Sequence, residues 1–313
     1  MSGREYTRSV EAFGGTVTIR GSAEVAEATV DRAEMDIRLV HDTLTRFEED
    51  SELCRLNADP RDTVPVGPVM LRFAEAVRTA GEMSGGLVDA TCLDAVERSG
   101  YTESLGRNRE TGTPARTAGR STGPALLAPL AGTWRDVQVD ASASTVTRPP
   151  GLRLDAGGLG KGMAADMAAM RLDHLDSFAV ECLGEIRFGG NFVGPRLIEV
   201  SSPDPGGAGP VASISLQEGA VATSGTTKRS WVGRNGRTSH HLIDPRTGVP
   251  SGSGVIQATA LAPTALEAEI RAKCALLAGP DDAMAMLPHG GVIVLDDLRV
   301  EASAGFEMKG GRS

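Results

Sequence analysis

Apolar residues in this chain change their spacing several times, and each change marks an element. Val17 and Ile19 alternate with polar neighbours across Thr16–Arg20, the two-residue period of a short strand. Val30, Ala33, Ile37, Val40, Leu44 and Phe47 then recur at steps of three and four. That spacing puts them on one helical face and predicts the face to be core. Asp50-Ser51-Glu52 opens a short segment ending near Asn57. Pro68 suits the first turn of a helix running through Met83, where Gly85-Gly86 closes it. The stretch from Thr102 to Gly132 is rich in Gly, Thr, Arg, Pro and Ala without sustained periodicity, and reads as a surface excursion, partly mobile. A β-rich region follows from Val137 to Val300, with alternation at Val211–Leu216 and Val255–Leu261. Helices interrupt it after Gly162 and around Thr264–Leu277. Strands and helices do not alternate as βαβα, so an α+β, mixed architecture is expected rather than a doubly wound parallel sheet.

Composition narrows the class without naming a function. The 313 residues are 40% hydrophobic and 23% charged, values of an ordinary soluble protein with length for a substantial core. A net charge of −9 argues against nonspecific binding to nucleic acid or to an anionic membrane. Cys54, Cys92, Cys182 and Cys274 are too scattered for a local CxxC pair or zinc knuckle, and read as reduced thiols of a cytoplasmic protein. The first ten residues lack the apolar core of a secretion signal, and no apolar run approaches the roughly 20 residues that span a bilayer. The expectation is an unexported, cytoplasmic chain that inserts in no membrane and binds no nucleic acid.

Chemistry concentrates in a few polar segments. Only four of the 32 basic side chains are lysines. One of them, Lys161, sits in Asp155-Ala-Gly-Gly-Leu-Gly-Lys-Gly-Met-Ala-Ala-Asp166, just before an alanine-rich helix. Glycines allow close backbone approach, a helix start offers unpaired N–H groups to an anion, and an ammonium is a compact charge suited to phosphate. The spacing is neither a Walker loop nor a Rossmann fingerprint. An ordinary strand-to-helix turn with an exposed lysine fits the same residues. Further on, Ala222-Thr-Ser-Gly-Thr226 places hydroxyls beside a glycine, and Ser239-His-His-Leu-Ile-Asp-Pro-Arg-Thr-Gly248 carries adjacent histidines. On a strand His240 and His241 would face opposite sides, so one at most serves a given site as general base. Both could equally bond locally or lie on the surface.

Taken in order, these segments resemble the FAD:protein FMN transferases, the ApbE-like flavin transferases. Gly14-Gly-Thr16 is similar to that family's Met-Gly-Thr, with Gly14 replacing the methionine. Arg46-Phe-Glu-Glu-Asp-Ser-Glu-Leu-Cys-Arg-Leu-Asn57 resembles its Ser-Arg-Phe-x-x-x-Ser-x-Leu-x-x-Leu-Asn, and Ser84-Gly-Gly-Leu-Val-Asp-Ala-Thr91 its Ser-Gly-Gly-x-Phe-Asp-Pro-Thr. The lysine loop resembles Asp-x-Gly-Gly-x-x-Lys-Gly. Thr223-Ser-Gly225 and His241-Leu-Ile-Asp-Pro-Arg-Thr-Gly248 complete the set. The resemblance implies one domain over 1–313 with a mixed-sheet architecture related to the T-fold, helices packed on the sheets. It implies transfer of the FMN half of FAD to a threonine hydroxyl of an acceptor protein, with release of AMP. Such phosphoryl transfer rests mainly on positioning and charge neutralisation. His241 is nominated as the base. Flavin and dinucleotide contacts map to Gly14, Phe47, Leu87, Val88, Asp89, Asp155, Gly157, Lys161, Thr223, Ser224, Gly225, Ile243 and Asp244. Phe47 could instead serve packing.

The family's Mg²⁺ site implies a loop carbonyl, here Gly158, and an Ala-Asp-x-x-x-Thr pair on a late helix. This chain reads Ala268-Glu-Ile-Arg-Ala-Lys-Cys274, with Glu269 in the aspartate place and Lys273 in the threonine place. A protonated Lys273 cannot ligate. Three outcomes stay open: it replaces part of the metal's role, turns toward the diphosphate, or pairs with Glu269 on an exposed helix face. A second departure is Cys182-Leu-Gly-Glu-Ile186, where the family commonly shows Asn-x-Gly-Gly-Asp. Two further activities remain open beside transfer, hydrolysis of FAD to FMN and AMP, and binding of FAD without chemistry.

Overall fold

The alternation at Val17 and Ile19 becomes the strand Gly15–Ser22, with both side chains fully buried. The computed structural model describes residues 5–22, 27–103, 132–190, 195–204, 206, 209–232 and 238–309, so most of the 102–132 excursion lies outside the described residues. Contacts divide the chain into two units. One comprises Met1–His41, Gly160–Ser224 and Ser253–Ser313, the other Asp42–Leu159 and Gly225–Gly252.

The first unit is built on an eight-stranded sheet. Its spatial order is Glu5–Ala12, Gly15–Ser22, Phe178–Cys182, Glu185–Gly189, Gly219–Gly225, Val255–Ala262, Gly291–Leu295 and Val300–Ala302. The pairings with a defined register in it are antiparallel. Two of its turns use the same device. Phe13 and Gly14 have φ of 55° and 80° between the paired residues Ala12 and Gly15, and Leu183 and Gly184 have 58° and 113° between Cys182 and Glu185. Two successive residues with φ > 0 match the right-handed strand twist in a two-residue hairpin, and a glycine carries the second at no steric cost. The Cys182-Leu-Gly-Glu-Ile186 departure is therefore a tight hairpin that projects Glu185 from the start of a strand.

Helices Gly160–Leu172 and Ala265–Ala278 pack on this sheet and on each other. A second sheet, Glu307–Met308 with Pro210–Leu216 and Arg196–Ser201, adds an apolar layer in which Phe188, Val221 and Leu261 meet Ile198, Ile214 and Phe306. Sheets and helices thus segregate as expected for an α+β protein. The late helix begins at Thr264, whose hydroxyl accepts from the Glu267 amide at 3.2 Å.

The second unit holds the short helices and small sheets. Ser51 caps Glu52–Ala58 by accepting from the Cys54 amide at 3.0 Å, the first-turn donor a cap is expected to satisfy. Pro68–Met83 ends at Gly85 and Gly86, whose φ of 61° and 90° are left-handed. Within that helix a Cβ at Gly81 would fall 2.1 Å from the Trp134 ring, so glycine is what admits the indole. Strands Thr63–Pro65, Thr145–Thr147 and Gln138–Asp140 form a three-stranded sheet, and Ser230–Val232 pairs with Thr238–His240.

One expectation fails here. The helix Glu27–Leu44 ends before Phe47, which is 37% exposed, while Val30, Ala33, Ile37, Val40 and Leu44 are buried. Phe47 continues the three-and-four spacing by coincidence, because the chain has already left the helix.

Candidate functional site

Each unit carries its own cluster of the residues singled out above. In the first, the lysine loop leads directly into Gly160–Leu172, and the glycine after the lysine is a steric requirement. A Cβ at Gly162 would lie 2.7 Å from the Ala265 carbonyl oxygen, so only glycine lets the two helix starts approach this closely. Asp166 then accepts from the Ala265 and Leu266 amides at 2.8 and 2.9 Å, placing a carboxylate on the N-terminal donors of the late helix. The two helices are locked together end to side.

That lock assembles four buried charges. Lys161 Nζ lies 2.7 Å from Glu269 Oε1 and 3.1 Å from Glu185 Oε1, and Lys273 Nζ donates to the same Glu269 oxygen at 3.0 Å. The Gly162 amide donates to Glu269 Oε2 at 2.9 Å. Glu269 has no exposed surface, and Glu185, Lys161 and Lys273 are all buried. Two of the alternatives left open do not hold. Lys161 is not the exposed lysine of an ordinary turn, and the Glu269–Lys273 pair lies in the interior rather than on a solvated helix face. Both follow from Gly162, which draws the helices together over these side chains.

Burial and charge act against each other here. Burial would raise the Glu269 carboxyl, but the Lys161 and Lys273 ammoniums hold it well below the usual carboxylate range. Glu185, whose Oε2 has no hydrogen-bond partner, is pushed up to about 7 by burial despite Lys161. Burial lowers Lys273, with Glu269 opposing. A divalent cation fits this set poorly. Hard cations take several oxygen ligands, whereas Glu269 offers one oxygen shared by two ammoniums and another bonded to an amide. Each pair of unit like charges about 4 Å apart costs roughly 4 kcal/mol at an effective dielectric of about 20. Among the described residues no group of three or more His, Cys, Asp or Glu is placed to hold a metal ion. Thr223 shares a hydroxyl hydrogen bond of 2.9 Å with Thr259, and Ser224 is buried. Gly14 occupies its hairpin turn.

The second unit's cluster is aromatic. Arg46 donates to the Tyr101 carbonyl at 2.7 Å and lies 3.4 Å from Asp155; its guanidinium stacks 4.4 Å from the Phe47 ring centroid and 4.6 Å from that of Tyr101. Tyr101 stacks on Trp231 at 5.6 Å and meets His241 edge-on at 6.3 Å. Trp231 is anchored by donating to the Ser99 carbonyl at 2.8 Å. The two histidines divide their roles. His240, on the strand, accepts from the Leu242 amide at Nδ1, 3.3 Å, so its proton is on Nε2, which donates to the Ser251 carbonyl at 2.9 Å. Burial lowers its pKa. His241, just past the strand and half-buried, points Nδ1 at the Arg229 carbonyl, 3.4 Å away. That tautomer leaves the basic lone pair on Nε2.

The carboxylates of this unit are equally specific. Asp89 Oδ1 accepts from the Thr91 amide and hydroxyl at 2.9 and 2.6 Å, and burial raises its pKa. Burial also raises Asp155, against Arg46 and the Gly157 amide that bonds it. Asp244 accepts from the Arg246 amide and guanidinium at 2.9 Å and caps the Asp244–Gly248 turn. Ile243 packs against Cys92, Ala95 and Val96. Val88 is buried and donates its amide to Ser84 Oγ at 2.9 Å; Leu87 is half-buried. Gly158 lies in the loop before Gly160, and Gly225 ends the strand Gly219–Gly225; both belong to this unit's segments or its boundary.

The structure thus brings Lys161, Glu269 and Lys273 together, and gathers Phe47, Asp155 and His241 around Arg46 and Tyr101. The sequence reading missed Glu185, Arg46, Tyr101 and Trp231. Arg46 is itself the arginine of a motif segment, and Tyr101 and Trp231 are scarce types, two tyrosines and two tryptophans in all. Their scarcity was the available signal.

The comparisons with known proteins agree with one another. Residues 13–295 match the model of the ApbE family. The chain is 27% identical over 295 residues to the FAD:protein FMN transferase of Haemophilus influenzae, covering 91% of this chain and 82% of that protein. It is similar to the crystal structure of the ApbE protein of Thermotoga maritima, with a TM-score of 0.80, 25% identity, and coverage of 96% and 97%. The fold of the Pseudomonas stutzeri flavinyl transferase ApbE is also shared, with a TM-score of 0.76 at 20% identity and coverage of 97% and 96%.

Proposed function

The chain belongs to the ApbE family, and from that membership we propose that it transfers the FMN moiety of FAD to a threonine hydroxyl of an acceptor protein, releasing AMP. The observation that carries this reading is the alignment with a FAD:protein FMN transferase along 91% of the chain. The threonine oxygen attacks the phosphorus on the FMN side of the diphosphate. The bond from that phosphorus to the bridging oxygen breaks, and AMP departs with the oxygen. The hydroxyl proton passes to Nε2 of His241, the nitrogen its Arg229 contact leaves basic. His240 is committed to Leu242 and Ser251 and is a structural residue.

Lys161 contributes positive charge to the diphosphate, and the aromatic group of Arg46, Phe47, Tyr101 and Trp231 offers flat surfaces suited to a flavin or adenine ring. Asp155, 3.4 Å from Arg46, positions that group. The Mg²⁺ that the resemblance implies supplies, where present, charge neutralisation of the diphosphate. The side chains at 269 and 273 do not suit it, and no step here runs through a metal. The activity is assigned to the chain 1–313 as one functional domain. Its four cysteines are free thiols, in keeping with a reducing compartment, and we place the protein in the cytoplasm. Among the described residues no helix is long and apolar enough to cross a membrane.

The test is incubation of the purified protein with FAD, with and without a flavin-acceptor protein, following AMP release and covalent flavin fluorescence on the acceptor. Labelled acceptor with matching AMP is expected. AMP without label would replace transfer by hydrolysis, and neither product would leave an FAD-binding protein.

A further inference from the structure

Two departures from the family pattern, lysine at 273 and glutamate at 185, stand far apart in sequence yet belong to one buried cluster. Lys161 Nζ bridges Glu185 and Glu269 at 3.1 and 2.7 Å, and Lys273 Nζ shares the Glu269 oxygen at 3.0 Å. The cluster brings two lysines and two glutamates together, so the basic residue gained at 273 is accompanied by an acidic one gained at 185. Its layering is asymmetric. Glu269 and Glu185 side chains are 0% and 3% exposed, whereas Lys161 and Lys273 keep 10% and 9%. The two lysine side chains are thus the more exposed members of the cluster.

We infer that in this chain the ammonium pair Lys161 and Lys273, seated on Glu269, takes the place of a divalent cation and holds the bound diphosphate by direct charge-assisted hydrogen bonds. The inference rests on the FAD reading above and specifies how the chain meets its charge requirement. It makes dinucleotide binding independent of Mg²⁺. A cation entering at Glu269 would have to expel Lys273, leaving an ammonium without its partner in a dry site.

The experiment uses the full chain and two readouts besides turnover. Mn²⁺ alone, titrated and followed by electron paramagnetic resonance, is expected to show no saturable site on the wild type. FAD affinity by calorimetry is expected to agree within about twofold between excess EDTA and excess Mg²⁺. The charge-neutral double variant E185G/K273T, which restores the family's residue types, is expected to gain a saturable Mn²⁺ site and to lose about tenfold or more in FAD affinity in EDTA, the loss of one charge-assisted contact. Because that variant could fail to fold, E185Q/K273M, also neutral and closer in volume, is measured beside it; it should lose FAD affinity equally with and without Mg²⁺. Saturable Mn²⁺ binding by the wild type, FAD binding that needs Mg²⁺, or unchanged FAD affinity in E185Q/K273M would each overturn the inference. FAD binding that needs Mg²⁺ rejects this inference alone. No FAD binding under any condition rejects the flavin reading with it.

Discussion

The lysine cluster of the first unit and the aromatic cluster of the second solve the same problem by opposite means. Around Lys161, charges are taken out of water and must be balanced residue by residue, so one partner cannot change without another. Around Tyr101, flat rings and a guanidinium share faces, and the fixed groups are backbone carbonyls of Ser99, Tyr101 and Arg229. The first arrangement is brittle to any single loss of charge. The departures at 185 and 273 both fall in the charged cluster, while the aromatic cluster keeps Arg46, Phe47 and His241 and adds Tyr101 and Trp231 to them.

The sharpest way to separate the two clusters is His241→Ala. Loss of a general base typically costs 10²- to 10⁴-fold in rate, and transfer should fall by about that factor while FAD affinity by calorimetry stays near the wild-type value. Equal turnover would remove His241 from the mechanism. Next in size is Glu269→Gln, which leaves two buried ammoniums facing a neutral amide. Breaking a buried ion pair from one side costs about 3–5 kcal/mol, so the urea midpoint should drop steeply, and an unchanged midpoint would show the cluster to be solvated.

The pH dependence of stability tests the same contrast more gently. Glu185 has a folded-state pKa of about 7 against an ordinary 4.5. Its neutral form thus stabilises the folded state fully below about 4.5, and that contribution is lost as pH rises through about 7. The melting temperature of the wild type relative to Glu185→Gln should fall over that window; parallel profiles would mean that Glu185 is ionised throughout. The smallest expected effect is Asp166→Asn. Weakening a carboxylate at a helix N-terminus costs about 0.5–2 kcal/mol, and the loss should appear in thermal unfolding. A neutral result would show that the Ala265 and Leu266 amides find other acceptors.

Much of this was readable in the chain, and the residues show why the rest was not. Ser51, Pro68, Gly85-Gly86 and Thr264 act within a few positions of themselves, so caps and stops announced their helices correctly. Phe47 misled because periodicity cannot see where a helix ends. Lys161 and Lys273 looked exposed because lysines usually are; only Gly162, meeting a backbone 103 positions away at Ala265, puts them inside. Glu185 stands out in the sequence only as part of the Cys182-Leu-Gly-Glu-Ile186 departure, and its placement depends on a hairpin register, Cys182 opposite Glu185, that no local pattern encodes. Sheet order was equally hidden, since Gly15–Ser22 pairs with Phe178–Cys182 across more than half the chain.

That last pairing bears on how the molecule comes into being. Val17 finds its neighbour at Cys182, and each unit draws on segments made both early and late. At about 5–20 residues per second of synthesis, the nascent strand waits on the order of ten seconds or more beside the ribosome with one edge unsatisfied. Neither unit corresponds to a contiguous fragment, so truncated copies should aggregate, and yield in the cell will hinge on whatever shields that early edge.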